Sequence, residues 1–97
     1  MVTDKDMNDL IAIKELINQG KAGEAIEILD SYLSTATSRQ DQAYYLKGNA
    51  YRKLGNWQEA LNNYRLAIDM NPESPASEAR EALLDILNFY NKDMYNQ

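Results

Sequence analysis

The stretch 55–72, GNWQEALNNYRLAIDMNP, carries the signals of one complete amphipathic helix. Asn56 followed by Glu59 is typical of a helix N-terminus, because each side chain can accept a hydrogen bond from an unpaired backbone N–H. The closing Asn-Pro pair ends the helix, since proline disfavours helical backbone in the residue before it. Between these ends, small and aromatic residues recur at helical spacing along one stripe: Ala60, Tyr64 and Ala67.

A weaker copy of this pattern occurs earlier, in the stretch 20–33, GKAGEAIEILDSYL. A shift of thirty-five residues aligns Gly20 with Gly55, Glu24 with Glu59, Ala25 with Ala60, Leu29 with Tyr64 and Leu33 with Ile68. Self-similarity at a period of about 20–50 residues is typical of stacked supersecondary units. The unit here is a helix, a turn at glycine and a second helix.

Start and stop signals divide the chain into five helical segments, and no strand candidate remains. We expect two helix–turn–helix repeats at about 4–37 and 39–72, followed by a fifth helix at about 75–94. Ser38 is the predicted start signal of the third helix, and Ser74 before a proline is that of the fifth. Because the connections are short, neighbouring helices should be antiparallel. The 97 residues are therefore expected to form a single all-α domain.

Large and small residues alternate at fixed positions in residues 41–74: Tyr44, Gly48, Tyr51, Gly55, Ala60, Tyr64, Ala67 and Pro72. In these positions the chain resembles the tetratricopeptide repeat family. Gly48 has no side chain, so a neighbouring helix can approach its backbone there, and Ala60 and Ala67 leave room for the same reason. The resemblance implies a right-handed α-solenoid of two repeats with a capping helix.

The chain also departs from the family pattern. Lys47 stands where a leucine-like residue is usual, so we expect its stem to pack and its amine to reach water. The first repeat has Ile13 in place of the small residue and Tyr32 where alanine is usual, and it is one residue longer than the usual period. Its first helix could therefore be shifted by one position relative to this alignment.

The fifth helix is expected to cap the array. Acidic residues occupy the positions where a further repeat would pack, and water can cover them: Glu78, Glu81 and Asp85. Near the end of the helix, Tyr90 and Met94 continue its apolar stripe and can seal the core. The alternative is that this segment, with Tyr95, projects toward a partner.

In this family, the first helices of successive repeats line a concave groove that holds a peptide or partner segment. The resemblance assigns these residues to the groove: Leu10, Lys14, Gln42, Tyr45, Asn49, Arg52 and Arg80. Tyr45 and Asn49 lie one helical turn apart and can grip a peptide backbone. The alternative is that Tyr45 covers a neighbouring helix and Asn49 is solvated.

An apolar patch in the groove would consist of Met7, Leu10 and Ile17. The alternative is the one-residue shift, which would bury these side chains as ordinary core. A two-carboxylate clamp, which one subset of the family uses for acidic C-terminal tails, is not supported, because only Arg80 matches its positions.

The composition excludes several classes of function. The chain has no histidine and no cysteine, which removes the commonest general base, the commonest metal ligand and the thiolate nucleophile. Capping and solvation explain the carboxylates Glu24, Glu27, Asp30 and Glu59. We therefore expect no catalysis, no metal and no cofactor.

Charge and hydropathy limit the partners in the same way. A net charge of −5 lacks the excess of Lys and Arg that nucleic-acid binding requires. No apolar run approaches the length of a membrane span, about 18 residues. The first ten residues, MVTDKDMNDL, lack a basic segment followed by an apolar core, so no signal peptide is expected. The sequence indicates a cytoplasmic protein.

The sequence thus predicts a non-catalytic module that holds a peptide or protein segment in its groove. The alternative is a homo-oligomerisation unit, a weak homodimer in which a second copy completes the array. Two repeats are fewer than the three or so that usually fold independently, which keeps that alternative open.

Overall fold

The structure is a computed structural model that describes the backbone of residues 2–90 and the side chains of residues 5–89. Within this part of the chain there are five helices and no strand: α1 (Val2–Asn18), α2 (Ala22–Thr35), α3 (Gln40–Lys53), α4 (Trp57–Met70) and α5 (Ala76–Tyr90). The predicted all-α fold is confirmed. The predicted extension of the fifth helix to about residue 94, with Met94 and Tyr95, lies outside the described residues.

The helix boundaries follow the period seen in the sequence. α1 ends at Asn18 and α3 ends at Lys53, thirty-five residues later. α2 and α4 both begin and end with the same offset. The first helix–turn–helix unit is therefore in register with the second, and the one-residue shift considered for α1 does not occur.

The turn within each unit and the starts of α4 and α5 are built as predicted. Gly20 and Gly55 have φ angles of +85° and +79°, the left-handed conformation that glycine adopts without a steric penalty. Asn56 caps α4, because its Oδ1 accepts a hydrogen bond from the backbone N–H of Glu59 at 3.2 Å. Ser74 accepts a hydrogen bond from the backbone N–H of Ala76 at 3.1 Å, at the start of α5.

The prediction that Ser38 caps α3 is wrong. The residue before α3 is Arg39, which has a φ of 56° and makes no capping hydrogen bond through its side chain. Ser38 instead joins α1 to α2: its hydroxyl donates to the Asp6 carboxylate, and its carbonyl oxygen accepts from the Tyr32 hydroxyl at 2.9 Å. The left-handed residue turns the chain before α3 begins, so Ser38 points back toward the first unit.

The second unit is held together by the close contact that its small residues predicted. A Cβ atom added to Gly48 would lie 2.5 Å from two ring carbons of Tyr64 and 3.2 Å from the Ala60 carbonyl oxygen. Real Cβ atoms do not approach so closely, so the ring occupies the space that a side chain would need. Tyr64, Ala60 and Ala67 are fully buried. α3 and α4 therefore touch at Gly48.

The first unit fills the same space with different residues. Ile13, the counterpart of Gly48, is 2 % exposed, and Leu29, the counterpart of Tyr64, is fully buried. Tyr32 replaces the alanine at the position of Ala67 and is 8 % exposed. Ile13 and Leu29 thus take the places of Gly48 and Tyr64, so two aliphatic side chains occupy these positions in the first unit, where the second unit has a single aromatic ring.

The seam between the two units contains an ion pair. The Lys47 ammonium lies 2.6 Å from the Asp30 carboxylate, which connects α3 to α2. The Lys47 side chain is 19 % exposed. The stem packs as predicted, but the amine contacts a carboxylate rather than water alone.

α5 packs on α4 through an apolar stripe: Ala76, Ala79, Leu83 and Leu87. Its acidic residues Glu78, Glu81 and Asp85 are exposed to solvent, as the sequence indicated.

Candidate functional site

A cleft between α1 and α3 brings together three of the residues predicted for the groove. Its volume is about 420 Å³, and it is lined by Lys14, Ile17, Asn18, Leu46, Asn49, Arg52 and Lys53. The two helices run side by side, so each contributes residues spaced three or four apart on one face. We call this the α1–α3 cleft. Lys14, Asn49 and Arg52 are the predicted residues that it contains.

The floor of the α1–α3 cleft is apolar and its walls are polar. Ile17 and Leu46 are 4 % and 7 % exposed, and they belong to the core cluster that α1, α2 and α3 share. Lys14 and Lys53 are exposed, and Arg52 is partly buried. A ligand would therefore meet a small apolar surface below a ring of hydrogen-bond donors.

Asn49 is oriented by a residue of the core. The Tyr64 hydroxyl donates a hydrogen bond to Asn49 Oδ1 at 2.6 Å. This bond occupies the amide oxygen and leaves the NH2 group as the remaining polar group of the side chain. The fully buried ring that fills the space above Gly48 thus also fixes a residue of the cleft.

Arg52 lies close to the same hydroxyl. Burial raises the pKa of Tyr64, and the neighbouring Arg52 guanidinium opposes this rise through a hydrogen bond and its positive charge. Tyr64 therefore remains a neutral hydrogen-bond donor to Asn49 near neutral pH. Asn49 and Arg52 form one connected polar group on the α3 side of the cleft.

The α1–α3 cleft is positively charged although the protein is acidic. Lys14, Arg52 and Lys53 contribute three positive charges, whereas the net charge of the chain is −5. Between residues 5 and 89, no carboxylate lies within ion-pair distance of these three cations. Their charge is therefore available to a ligand.

Two residues predicted for the groove lie on α3 outside this cleft. Gln42 is exposed near the start of the helix. Tyr45 is partly buried, and its ring centroid lies 6.2 Å from that of Tyr64 at an interplanar angle of 38°. Tyr45 packs against both core clusters, so most of its surface covers neighbouring helices. This packing agrees with the alternative that Tyr45 covers a neighbouring helix.

The assignment of Leu10 to the groove is wrong. Leu10 and Ile17 are each 4 % exposed and belong to the core cluster with Ala43, Leu46 and Ala50 of α3. Their burial needs no shift of register, because α3 packs against this face of α1. Met7, one turn before Leu10, is 43 % exposed, so the predicted apolar patch does not form.

Arg80 is also misplaced by the prediction. It lines a different cleft, between α4 and α5, together with Trp57, Leu61, Arg65 and Leu87. The resemblance assigned Arg80 to the same groove as Asn49. The buried stripe of α5 runs through Ala76 and Leu83 instead, which turns Arg80 toward α4.

Asn18 and Lys53 line the cleft but were not predicted for it. The position of Ile17 and Leu46 at its floor was not predicted either. Asn18 and Lys53 each lie four residues beyond a predicted cleft residue, Lys14 and Asn49 respectively. Residues four apart lie on the same face of a helix, so this spacing could have predicted that Asn18 and Lys53 line the cleft. Ile17 was assigned to the groove, but as part of an exposed apolar patch, and Leu46 was not assigned, because its apolar character is equally typical of core.

The described residues contain neither a membrane-spanning helix nor a metal-binding cluster. Among these residues, no helix is both long and apolar enough to cross a bilayer. The same part of the chain contains no group of three or more acidic, histidine or cysteine side chains arranged to hold a metal ion.

Known proteins resemble the chain in sequence and in fold. The family model described as tetratricopeptide repeat matches residues 42–74. The TPR repeat-containing protein YvcD of Bacillus subtilis (strain 168) is 28% identical over 69 residues, which cover 71% of the chain. The chain spans 14% of the length of that protein.

A solved structure covers nearly the whole chain. The solution NMR structure of Bacteroides fragilis protein BF1650 has a TM-score of 0.83 and 62% sequence identity. The similarity extends over 91% of this chain and 89% of that one. Residues 42–74 of this five-helix fold therefore form a tetratricopeptide repeat, a kind of repeat that generally serves protein interaction rather than catalysis.

Proposed function

We propose that the protein holds a segment of a partner protein in the α1–α3 cleft, and that this segment presents a carboxylate to the cleft. The observation that carries the proposal is the convergence of Lys14, Asn49 and Arg52 above an apolar floor. The two cations, Lys14 and Arg52, have no carboxylate partner in the described part of the chain. An acidic side chain of the partner would supply one.

Each polar residue has a distinct role in this arrangement. The Arg52 guanidinium can donate two parallel hydrogen bonds to a carboxylate, which fixes the orientation of the ligand as well as its position. Lys14 approaches from α1, on the opposite wall, as a compact positive charge. The Asn49 NH2 group can donate to a backbone carbonyl of the bound segment, because its own oxygen is held by Tyr64.

The size of the cleft limits what it can hold. A volume of 420 Å³ lies toward the small end of ligand sites, which span roughly 300–1,000 Å³. It accommodates a few side chains of an extended segment rather than the surface of a folded domain. Since Ile17 and Leu46 are only slightly exposed, the apolar contact is small and the charged contacts should dominate affinity.

Selection from a phage-displayed library of random peptides tests this proposal. Peptides that bind the native protein should be enriched in Asp and Glu. The double variant Lys14→Glu/Arg52→Glu should bind the selected peptides at least ten-fold more weakly, since loss of one charge-assisted contact of about 1.5–3 kcal/mol gives that factor. Binding should also weaken as the salt concentration rises, because ions screen the charges.

The matched control is Lys21→Glu/Arg65→Glu, which changes the net charge by the same amount at residues outside the cleft. It should bind the selected peptides as the native protein does. Selected peptides without acidic enrichment, or equal loss of binding in both double variants, would show that the α1–α3 cleft does not recognise a carboxylate.

A further inference from the structure

A second cleft, between α4 and α5, carries positive charge beside exposed apolar residues. Its volume is about 880 Å³, and Arg65 and Arg80 face it from the two helices. None of the described residues that line it is acidic. The apolar part of the lining is Leu54, Trp57, Leu61 and Leu87, of which Leu54 and Trp57 are 56 % and 44 % exposed. We call this the α4–α5 cleft.

The charge of the α4–α5 cleft differs from that of the corresponding seam between α2 and α3. In that seam, Asp30 and Lys47 form an ion pair at 2.6 Å. Arg65 is the counterpart of Asp30, thirty-five residues later, so this position carries a positive charge in the second unit. The nearest carboxylate to Arg65 is Asp69, one turn along its own helix at 4.0 Å, a pair exposed to solvent and worth little. Among the described residues, α5 therefore supplies no carboxylate that pairs with Arg65 across the α4–α5 cleft.

The outer face of α2 has the complementary character. Glu24, Glu27 and Ile28 lie at positions i, i+3 and i+4, so they form one ridge along the helix. All three are exposed, and Ile28 retains 45 % of its surface in contact with solvent. The two glutamates have no ion-pair partner within residues 5–89. Two carboxylates on one helix ridge thus face solvent on the same molecule as a cleft with two guanidinium groups. Glu27 and Ile28 also line a cleft between α1 and α2.

We infer that the α2 ridge of a second copy of this chain occupies the α4–α5 cleft. Glu24 and Glu27 then pair with Arg65 and Arg80, and Ile28 packs against the apolar lining. The mode is a helix lying in a groove, in which a few residues at helical spacing act as anchors. Two different surfaces meet, so the association is heterologous and can continue from copy to copy. This surface is separate from the α1–α3 cleft.

Sedimentation velocity over a concentration series tests the inference on the full chain. We expect the average mass of the native protein to rise above that of the monomer between about 10 μM and 1 mM, the range for a small interface. Arg65→Glu/Arg80→Glu should remain monomeric at every concentration, and so should Glu24→Arg/Glu27→Arg. Circular dichroism and urea unfolding of each variant establish that it is folded.

Mixing the two variants gives the decisive result. Each variant retains one native surface and carries one reversed surface, so an equimolar mixture should regain the association that both lack alone. The control Lys14→Glu/Lys53→Glu makes the same change in net charge as the arginine variant, at exposed residues of the α1–α3 cleft that lie outside both surfaces, and should still associate. A native protein that stays monomeric at 1 mM or so, or a mixture that stays monomeric, would overturn the inference.

Discussion

Replacement of Gly48 by alanine should destabilise the protein, although alanine is the better helix former. A Cβ atom at this position would lie 2.5 Å from two Tyr64 ring carbons. The ring cannot retreat easily, because it is fully buried and its hydroxyl is held by Asn49. Overpacking in a core typically costs about 1–3 kcal/mol, and the short contact favours the upper end. The gain in helix propensity is about 1 kcal/mol. The net loss is therefore about 2 kcal/mol.

Urea unfolding followed by circular dichroism measures this loss. For a small protein with a slope of about 1–2 kcal/mol per molar, the midpoint should fall by about 1–2 M. Gly23 supplies the matched control, because it also lies in a helix but has no atom within 4 Å of its added Cβ. Gly23→Ala should raise the free energy of unfolding by about 0.5–1 kcal/mol. The two substitutions thus have opposite signs.

A double variant identifies the Tyr64 ring as the cause. In the first unit, Ile13 occupies the position of Gly48 opposite Leu29, so a leucine at position 64 should make room for the new methyl group. In a Tyr64→Leu background, the destabilisation by Gly48→Ala should disappear, which is a coupling energy of about 2–3 kcal/mol. If Gly48→Ala raises the midpoint as Gly23→Ala does, α3 and α4 do not meet at this residue.

Two further predictions concern the N-cap of α4 and the buried tyrosine. Asn56→Ala should lower the free energy of unfolding in urea by about 1 kcal/mol, because the Glu59 N–H loses its acceptor, and an unchanged midpoint would contradict the cap. Burial raises the Tyr64 pKa above 10.0. The neutral hydroxyl therefore makes its full contribution to the free energy of unfolding below pH 10, and this contribution is lost as the pH rises through the folded-state pKa. Urea unfolding between about pH 9 and 11 should therefore show a smaller loss of stability in Tyr64→Phe than in the native protein, and equal losses would refute this.

The sequence was sufficient for those features that depend on residues close together in the chain. Asn56 and Gly55 specify the second turn by themselves, since a side-chain cap and a left-handed glycine act locally. The thirty-five-residue offset likewise holds for both ends of α2 and α4. Lys14 and Asn49 line the same cleft because they occupy the same position in successive repeats.

The misplaced residues depend on how helices are placed around one another. The spacing of Leu10 and Ile17 predicts one face of α1, but it does not reveal that α3 covers this face. Arg80 was assigned from the family period, whereas the rotation of α5 is set by the small side chain of Ala76 and by Leu83 against α4. Burial of a helix face is decided by the neighbour that packs on it, and a single sequence does not specify how far that neighbour is rotated.

Tyr64 connects the packing of the repeat to the candidate binding site. Because Gly48 leaves space for an aromatic ring, the ring reaches through the α3–α4 contact and places its hydroxyl 2.6 Å from Asn49 on the other side of α3. The first unit has Leu29 at the corresponding position, which has no hydroxyl, and its residue at the Asn49 position is the exposed Lys14. A leucine can fill a core but cannot orient a polar neighbour. The α1–α3 cleft therefore combines a held amide from one repeat with an exposed cation from the other. In the proposed function, the amide would hold the peptide backbone and the long Lys14 side chain would reach its carboxylate.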